Sequence, residues 1–212
     1  MSNANQISQI KEPIRTLRKI QTVRPEAIIA GGYHRDLLND VHYSDVDIIV
    51  PNIISTDNLF NPCTTSEWER LFNLQTNDFR SMDMIQELDE DGDGDYGESA
   101  SKNIFTAFGM IKNEINYNII IVDNDPIDFV MEDFDFNICK TYCDGKKITF
   151  TKEFMADIEH KHLTFAARDV NLEQFARAMQ VHLPKLKTKY PTHKVVIDPS
   201  HDKINSQYKK NY

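Results

Sequence analysis

Two aspartates one pleat apart carry the clearest chemistry in this sequence. In Ser44-Asp45-Val46-Asp47-Ile48-Ile49-Val50 the β-branched content indicates a strand, and alternation sends Asp45 and Asp47 to one side while Val46 and Ile48 go to the other. Carboxylates so spaced can share hard divalent cations, the arrangement that two-metal phosphoryl transfer requires. Upstream, the short apolar run Ala27-Ile28-Ile29-Ala30 ends in Gly31-Gly32. Two glycines let the backbone turn sharply and approach a phosphate with no Cβ in the way. Tyr33 to Asn39 then reads as a helix, whose leading N–H groups suit an anion. Arg35 and Asp36 follow the glycines, and an arginine suits bidentate phosphate contacts.

Gly31-Gly32-x-x-Arg35-Asp36 followed by Ser44-Asp45-x-Asp47 resembles the signature of DNA polymerase beta-type nucleotidyltransferases, in the variant of tRNA CCA-adding enzymes and bacterial-type poly(A) polymerases. The resemblance is specific over Ala27 to Val50 and thins to a general pattern beyond it. It implies an α+β fold, a polymerase beta-like palm of mixed sheet flanked by helices, with a small helical region behind it. On this chain that divides into a catalytic domain over 1–150 and a basic helical region over 151–212. It also implies Mg2+-dependent transfer of a nucleoside monophosphate from an NTP to an acceptor hydroxyl, with release of pyrophosphate. Asp45 and Asp47 would bridge two Mg2+ ions, or Mn2+ in their place, with Gly31, Gly32, Arg35 and Ser44 at the nucleotide. Arg35 either contacts the triphosphate or pairs with Asp36 to orient the turn, and Ser44 positions the strand or a phosphate.

Such a site needs a third carboxylate, because two cations and a triphosphate otherwise leave coordination incomplete. In the superfamily it lies on a neighbouring strand, and the natural counterpart, Ile115 to Val122, offers Asn116 and Asn118 instead. An asparagine carbonyl can ligate magnesium but adds no charge and cannot act as a base. Asp135 is the expected third catalytic and metal-binding residue, with Asp128 in reserve. CCA-adding enzymes continue into a longer helical region than the roughly sixty residues that follow Phe150 here. The expected acceptor is an RNA 3′ end, with a protein side chain, as in compact antitoxin-type members, as the alternative. The two asparagines motivate a further alternative, a catalytically inactive relative that binds nucleotide or RNA.

The 212 residues hold 40% apolar and 27% charged side chains, a globular balance that needs no disulfide or metal to fold. No apolar run approaches the ~20 residues of a membrane span, and the first residues lack the basic-then-apolar layout of a signal peptide, so a cytoplasmic protein with no membrane partner is expected. Cys63, Cys139 and Cys143 are odd in number and lack zinc or redox spacing, which fits free thiols. Charge is divided unevenly: 10 Lys+Arg against 25 Asp+Glu up to Cys139, and 14 against 8 from Lys140 onward. A basic second half, with Lys185, Lys187, Lys189 and Lys194 clustered, suits a polyanionic acceptor.

Ile7, Ile10, Ile14, Leu17 and Ile20 recur at helical spacing, which predicts an amphipathic helix over 6–21, started or bent at Pro13. Glu67 to Leu74 reads as a helix, Lys102 to Ile111 as a strand or helix, Ile115 to Val122 as a strand, and Pro126 to Glu132 as a helix. Phe134 to Tyr142 is expected as a strand, with Cys139 and Cys143 on one face, turning at Asp144-Gly145 into a hairpin with Lys147 to Phe150. Glu153 to Leu163 and Leu172 to Leu183 are expected as helices, the second ended or kinked by Pro184. Leu88 to Ser101 is almost devoid of apolar residues and reads as a solvated acidic loop. From Glu87 its acidic spacing, with Gly92 and Glu98, approaches an EF-hand loop, but Glu at the first position and Gly94 at the eighth depart from that pattern.

Overall fold

The computed structural model describes residues 3–52, 60–73, 79–80 and 103–211. The acidic stretch and its EF-hand-like spacing lie outside the described residues. The frame is a seven-stranded mixed sheet in the order β3-β4-β5-β2-β1-β6-β7. Its strands are β1 (Ile28–Ala30), β2 (Val46–Pro51), β3 (Phe79–Arg80), β4 (Ile104–Lys112), β5 (Ile115–Val122), β6 (Thr141–Cys143) and β7 (Ile148–Phe150). β2 runs parallel to β5 and antiparallel to β1, so the strand bearing Asp47, with Asp45 just ahead of it, is at the centre of the sheet, paired on both sides. Central strands covered on both faces read as continuous apolar runs, as Ile48-Ile49-Val50 and Ile119-Ile120-Ile121-Val122 do, all of them buried.

Each face of the sheet has its own core. On one, Val46, Ile48 and Val50 pack with Leu17 and Ile20 of α1 (Asn3–Gln21), with Tyr33 of α2 (Gly32–Leu38), and with Trp68 and Phe72 of α3 (Thr65–Phe72). On the other, Ile28, Ile49 and Ile120 pack with Phe129 and Val130 of α4 (Pro126–Asp133). Pro13 lies inside α1, which continues through it. The side chain of Gln21, at the end of that helix, donates to the carbonyls of Ala27 and Asp144, pinning α1 to the start of β1 and to the turn after β6.

A third core forms behind the sheet's β7 end from Phe136, Ile138, Phe154, Leu163, Phe165, Phe175 and Leu186. Around it lie α5 (Lys152–His160), a two-stranded parallel sheet of β8 (His162–Phe165) and β9 (Lys194–Ile197), α6 (Leu172–Arg177), α7 (Leu183–Lys189) and α8 (Asp202–Asn211). Here the structure corrects three sequence expectations. Phe134 to Tyr142 is no strand: a 3₁₀ turn at Asn137–Cys139 separates α4 from the three-residue β6, so Cys139 and Cys143 do not share a strand face. The turn seats Phe136 and Ile138 in the third core, and tertiary burial overrides the alternation that suggested a strand. The helix expected to run to Leu163 stops at His160, where Lys161 adopts a left-handed cap with φ 55°, and His162–Phe165 becomes β8. Pro184 does not end its helix. A π turn over Ala178–His182 links α6 to α7, so the helical run passes through Pro184 with its irregularity in the residues just before the proline.

Candidate functional site

The β2–β5 register fixes the acidic centre. Asp47 lies directly opposite Asn118, and partners in a parallel pair project to the same face. The Asn118 amide donates Nδ2–H to Asp47 Oδ1 at 2.9 Å and to Asp45 Oδ2 at 3.1 Å, drawing the two carboxylates together around one donor. Ser44 Oγ donates to Asp45 Oδ1 at 3.2 Å and so holds the remaining oxygen of that carboxylate.

The glycine turn closes on the same point. Gly31 adopts φ 75°, in the region that disfavours any side chain, and a Cβ there would lie 2.9 Å from Asp47 Oδ2 and 3.2 Å from the Phe134 ring. Glycine at this position is thus required twice, by its dihedral and by the carboxylate packed against it. One expectation for this turn changes: Gly31 N–H donates to the Thr141 carbonyl at 3.2 Å and is not available to a phosphate. What the turn contributes is close approach, with Gly31 and Gly32 both lining the cavity.

Arg35 and Asp36 form a buried pair rather than a surface one. Arg35 is 5% exposed and Asp36 fully buried. Arg35 Nε donates to Asp36 Oδ1 at 2.6 Å, and its guanidinium packs over Gly32 and Tyr190. Two further donors reach Asp36 from the end of α7, Lys189 Nζ at 2.7 Å and Tyr190 Oη at 2.9 Å. Of the two roles expected for Arg35, the structure displays the one in which it pairs with Asp36 and braces the turn. Arg35 Nη1 also lies 3.0 Å from Cys139 Sγ. Burial pushes the Cys139 thiol up, and Arg35 pulls it down.

These groups share a cavity of about 790 Å3 between the sheet and the C-terminal helices. The sheet side contributes Asp45, Asp47 and Gly31, and the C-terminal segment contributes Arg168, Arg177, His182, Lys185 and Lys189 together with Asp169. Asp135 lines it too, but its Oδ2 is engaged by His182 Nδ1. Among the described residues, no three His, Cys, Asp or Glu side chains come together as a metal-ligating group, so Asp135 does not join Asp45 and Asp47 in one cluster. Asp128, the reserve, is exposed on α4 and does not line the cavity. His42 is exposed, and His34 is buried with no hydrogen-bond partner for either ring nitrogen; burial lowers its pKa to about 4.

The expected lysine cluster is divided by the fold. Lys187 Nζ donates to the Pro191 and His193 carbonyls and Lys189 is spent on Asp36, while Lys185 and Lys194 are exposed. Of the expected lysines, Lys185 does line the cavity, whereas sequence reasoning missed His182, which lies in the π turn. It also passed over Asp133, which lines the cavity and accepts from Asn103 at 2.8 Å.

Whether a divalent cation fits can be judged from the donors present. Two carboxylates held by one amide N–H2 put partial positive charge where a cation would sit, and rotation of the same amide presents an oxygen in its place. Hard oxygen ligands of this kind suit Mg2+ or Mn2+.

Several solved structures share this fold. A tRNA-processing enzyme in an apo form superposes with a TM-score of 0.55 over 99% of this chain and 48% of its own, at 14% identity. A CCA-adding enzyme with CTP gives 0.56 over 97% and 45%, at 12% identity. The Thermotoga maritima CCA-adding enzyme complexed with tRNA gives 0.52 over 92% and 40%, at 14% identity. This chain thus spans under half the length of each, and the likeness is one of fold: an α+β mixed sheet flanked by helices. No protein-family signature matches the chain, and no curated protein does. Among the described residues no helix is long and apolar enough to cross a membrane.

Proposed function

We propose that this chain is a Mg2+-dependent nucleotidyltransferase that moves a nucleoside monophosphate from an NTP to the 3′ hydroxyl of an RNA. The observation that carries the reading is the packing of Asp47 against the Gly31 turn, with Asp45 joined to it through Asn118, in a cavity that Arg177 and Lys185 also line. Asp45 and Asp47 would hold the cation, with Ser44 fixing the outer oxygen of Asp45. Bound there, Mg2+ would offset the phosphate charge and lower the pKa of the attacking hydroxyl. The bare backbone at Gly31 and Gly32 lets the triphosphate approach the carboxylates. Arg35 acts on that turn from behind, through Gly32 and Asp36. Arg177 and Lys185 supply positive charge from the C-terminal segment, suited to phosphates of either substrate. We assign Asp135 the role of holding His182 at the cavity edge, where the acceptor would enter.

A second reading rests on Asn118. An amide in place of a carboxylate is what a nucleotide- or RNA-binding relative without transfer activity would carry. The separating experiment incubates the protein with each α-labelled NTP, Mg2+ and total RNA or cell lysate. Label on RNA supports the reading, label on a protein band moves the acceptor to a protein, and nucleotide binding with no labelled product favours the inactive relative.

A further inference from the structure

We propose that Asn118 is a neutral third cation ligand that works by turning its amide: N–H2 toward the carboxylates when the site is without a cation, and Oδ1 toward the cation when one is bound. The inference rests on the metal-dependent reading above and deepens it.

Three observations carry it. Asn118 is the register partner of Asp47, on the strand hydrogen-bonded to β2, so its side chain shares the carboxylates' face without any loop to position it. Its Nδ2 lies within hydrogen-bond distance of one oxygen from each aspartate, at 2.9 and 3.1 Å, which places the amide between the two groups rather than beside one of them. On its other flank its partner across β4 is Gly109, which contributes no side chain at that point of the sheet. The amide is therefore half-buried between strands with a backbone-only neighbour on one side, an environment that permits rotation about χ2. With no cation, an amide oxygen facing two carboxylates would be repelled, so N–H2 faces them. With a cation, N–H2 would be repelled and the oxygen ligates instead.

The consequence is electrostatic. A trio of carboxylates would bring three negative charges to the cation, whereas Asp45, Asp47 and Asn118 bring two. Cation affinity should then be weak in the protein alone and strong once a triphosphate supplies the missing charge. Cation binding becomes conditional on nucleotide.

Mn2+ binding followed by loss of the free-ion electron paramagnetic resonance signal tests this without turnover. In the absence of nucleotide, Asn118→Asp should bind Mn2+ about tenfold or more tightly than the parent, and Asn118→Ala about tenfold more weakly. A non-hydrolysable triphosphate should tighten binding in the parent far more than in Asn118→Asp. If the amide only plugs the site, Asn118→Ala binds more tightly than the parent, and the proposal is overturned. It is equally overturned if Asn118→Asp gains nothing. Asp47→Ala, measured alongside, separates the two levels of argument. Loss of Mn2+ binding in that variant with a flat Asn118 series removes this inference alone, whereas unchanged binding in Asp47→Ala removes the metal reading and this inference together.

Discussion

The two walls of the cavity are held in place by different physics. Asp45, Asp47 and Asn118 belong to β2, its lead-in and β5, strands paired over six consecutive positions at the centre of a sheet buried on both faces. Arg168, Arg177, His182 and Lys185 come from the loop before α6, from α6, from a π turn and from α7, a helical run with no ladder through it. What ties that run to the glycine turn is one fully buried carboxylate, Asp36, accepting from Arg35 on one side and from Lys189 and Tyr190 on the other. The acidic wall is therefore rigid by construction, whereas the basic wall is registered to it through a polar hub. Removing a carboxylate should change chemistry without changing the fold, and removing the hub should show first as lost stability.

The sharpest break in that comparison is at the carboxylates. Asp45→Ala or Asp47→Ala deletes a ligand worth several kcal/mol of charge stabilisation in the transition state, so transfer should fall by about a thousandfold or more. Thermal midpoints should stay within a few degrees of the parent, because neither side chain is in a core. Transfer within about tenfold of the parent in either variant would remove both from the mechanism.

The hub should show the opposite signature. Asp36→Ala leaves the Arg35 guanidinium buried without its partner and releases Lys189 and Tyr190, a change that costs about 3–5 kcal/mol when one member of a buried pair is lost. Denaturant unfolding reads this directly. A loss under about 1 kcal/mol would show that the C-terminal helices dock without the hub, and the two walls would then be independent.

The same asymmetry explains what was legible in the sequence. Ile115–Val122 matches its expected bounds and β2 overlaps the expected strand from Val46 to Val50, because a central strand announces itself by a continuous apolar run. Lys102 to Ile111 was open between strand and helix, and pairing with β5 makes it β4. Behind Phe150 the local signals mislead. Leu163 continues a helical stripe but enters β8, whose partner β9 lies some thirty residues onward and cannot be seen locally. Asp36 reads as an ordinary Arg-Asp neighbour pair, since Lys189 and Tyr190 reach it from over 150 positions away. In the site, Asp45, Asp47 and the glycines are adjacent in the chain, and their convergence needs only a strand and a turn. The bridging role of Asn118 depends on strand register, which periodicity does not fix.

His34 sharpens the comparison from the acidic side. It is 2% exposed, lies two residues beyond Gly32, and is held neutral by burial at a pKa of about 4 against an ordinary 6.5. A depressed value means that the unfolded chain binds this proton first, so stability is whole above pH 6.5 and declines as pH falls toward 4. The decline attributable to this group is up to roughly 3 kcal/mol. Denaturation midpoints followed from pH 7 to pH 4 should show it, and His34→Leu should flatten the profile over that window. An unchanged profile in that variant would assign the acid sensitivity to other groups.

The smallest effects belong to the lysines, and they test whether the basic wall is a surface or a scaffold. Lys187 is used up on the Pro191 and His193 carbonyls, whereas Lys185 is exposed at the cavity rim. If RNA lies along that rim, binding falls steeply with salt, and Lys185→Ala should lower the slope of log affinity against log salt by about one unit. Lys187→Ala should leave that slope unchanged and lower stability by about 1 kcal/mol through the lost tie between α7 and the turn that follows it. The measurement is RNA affinity from low to physiological salt for the parent and both variants. Equal flattening in the two variants would mean that the C-terminal charge acts as a diffuse field, with no phosphate held at the rim. Absence of RNA binding in the parent itself would transfer the acceptor role to a protein, since the cavity's cationic wall would then serve the triphosphate alone.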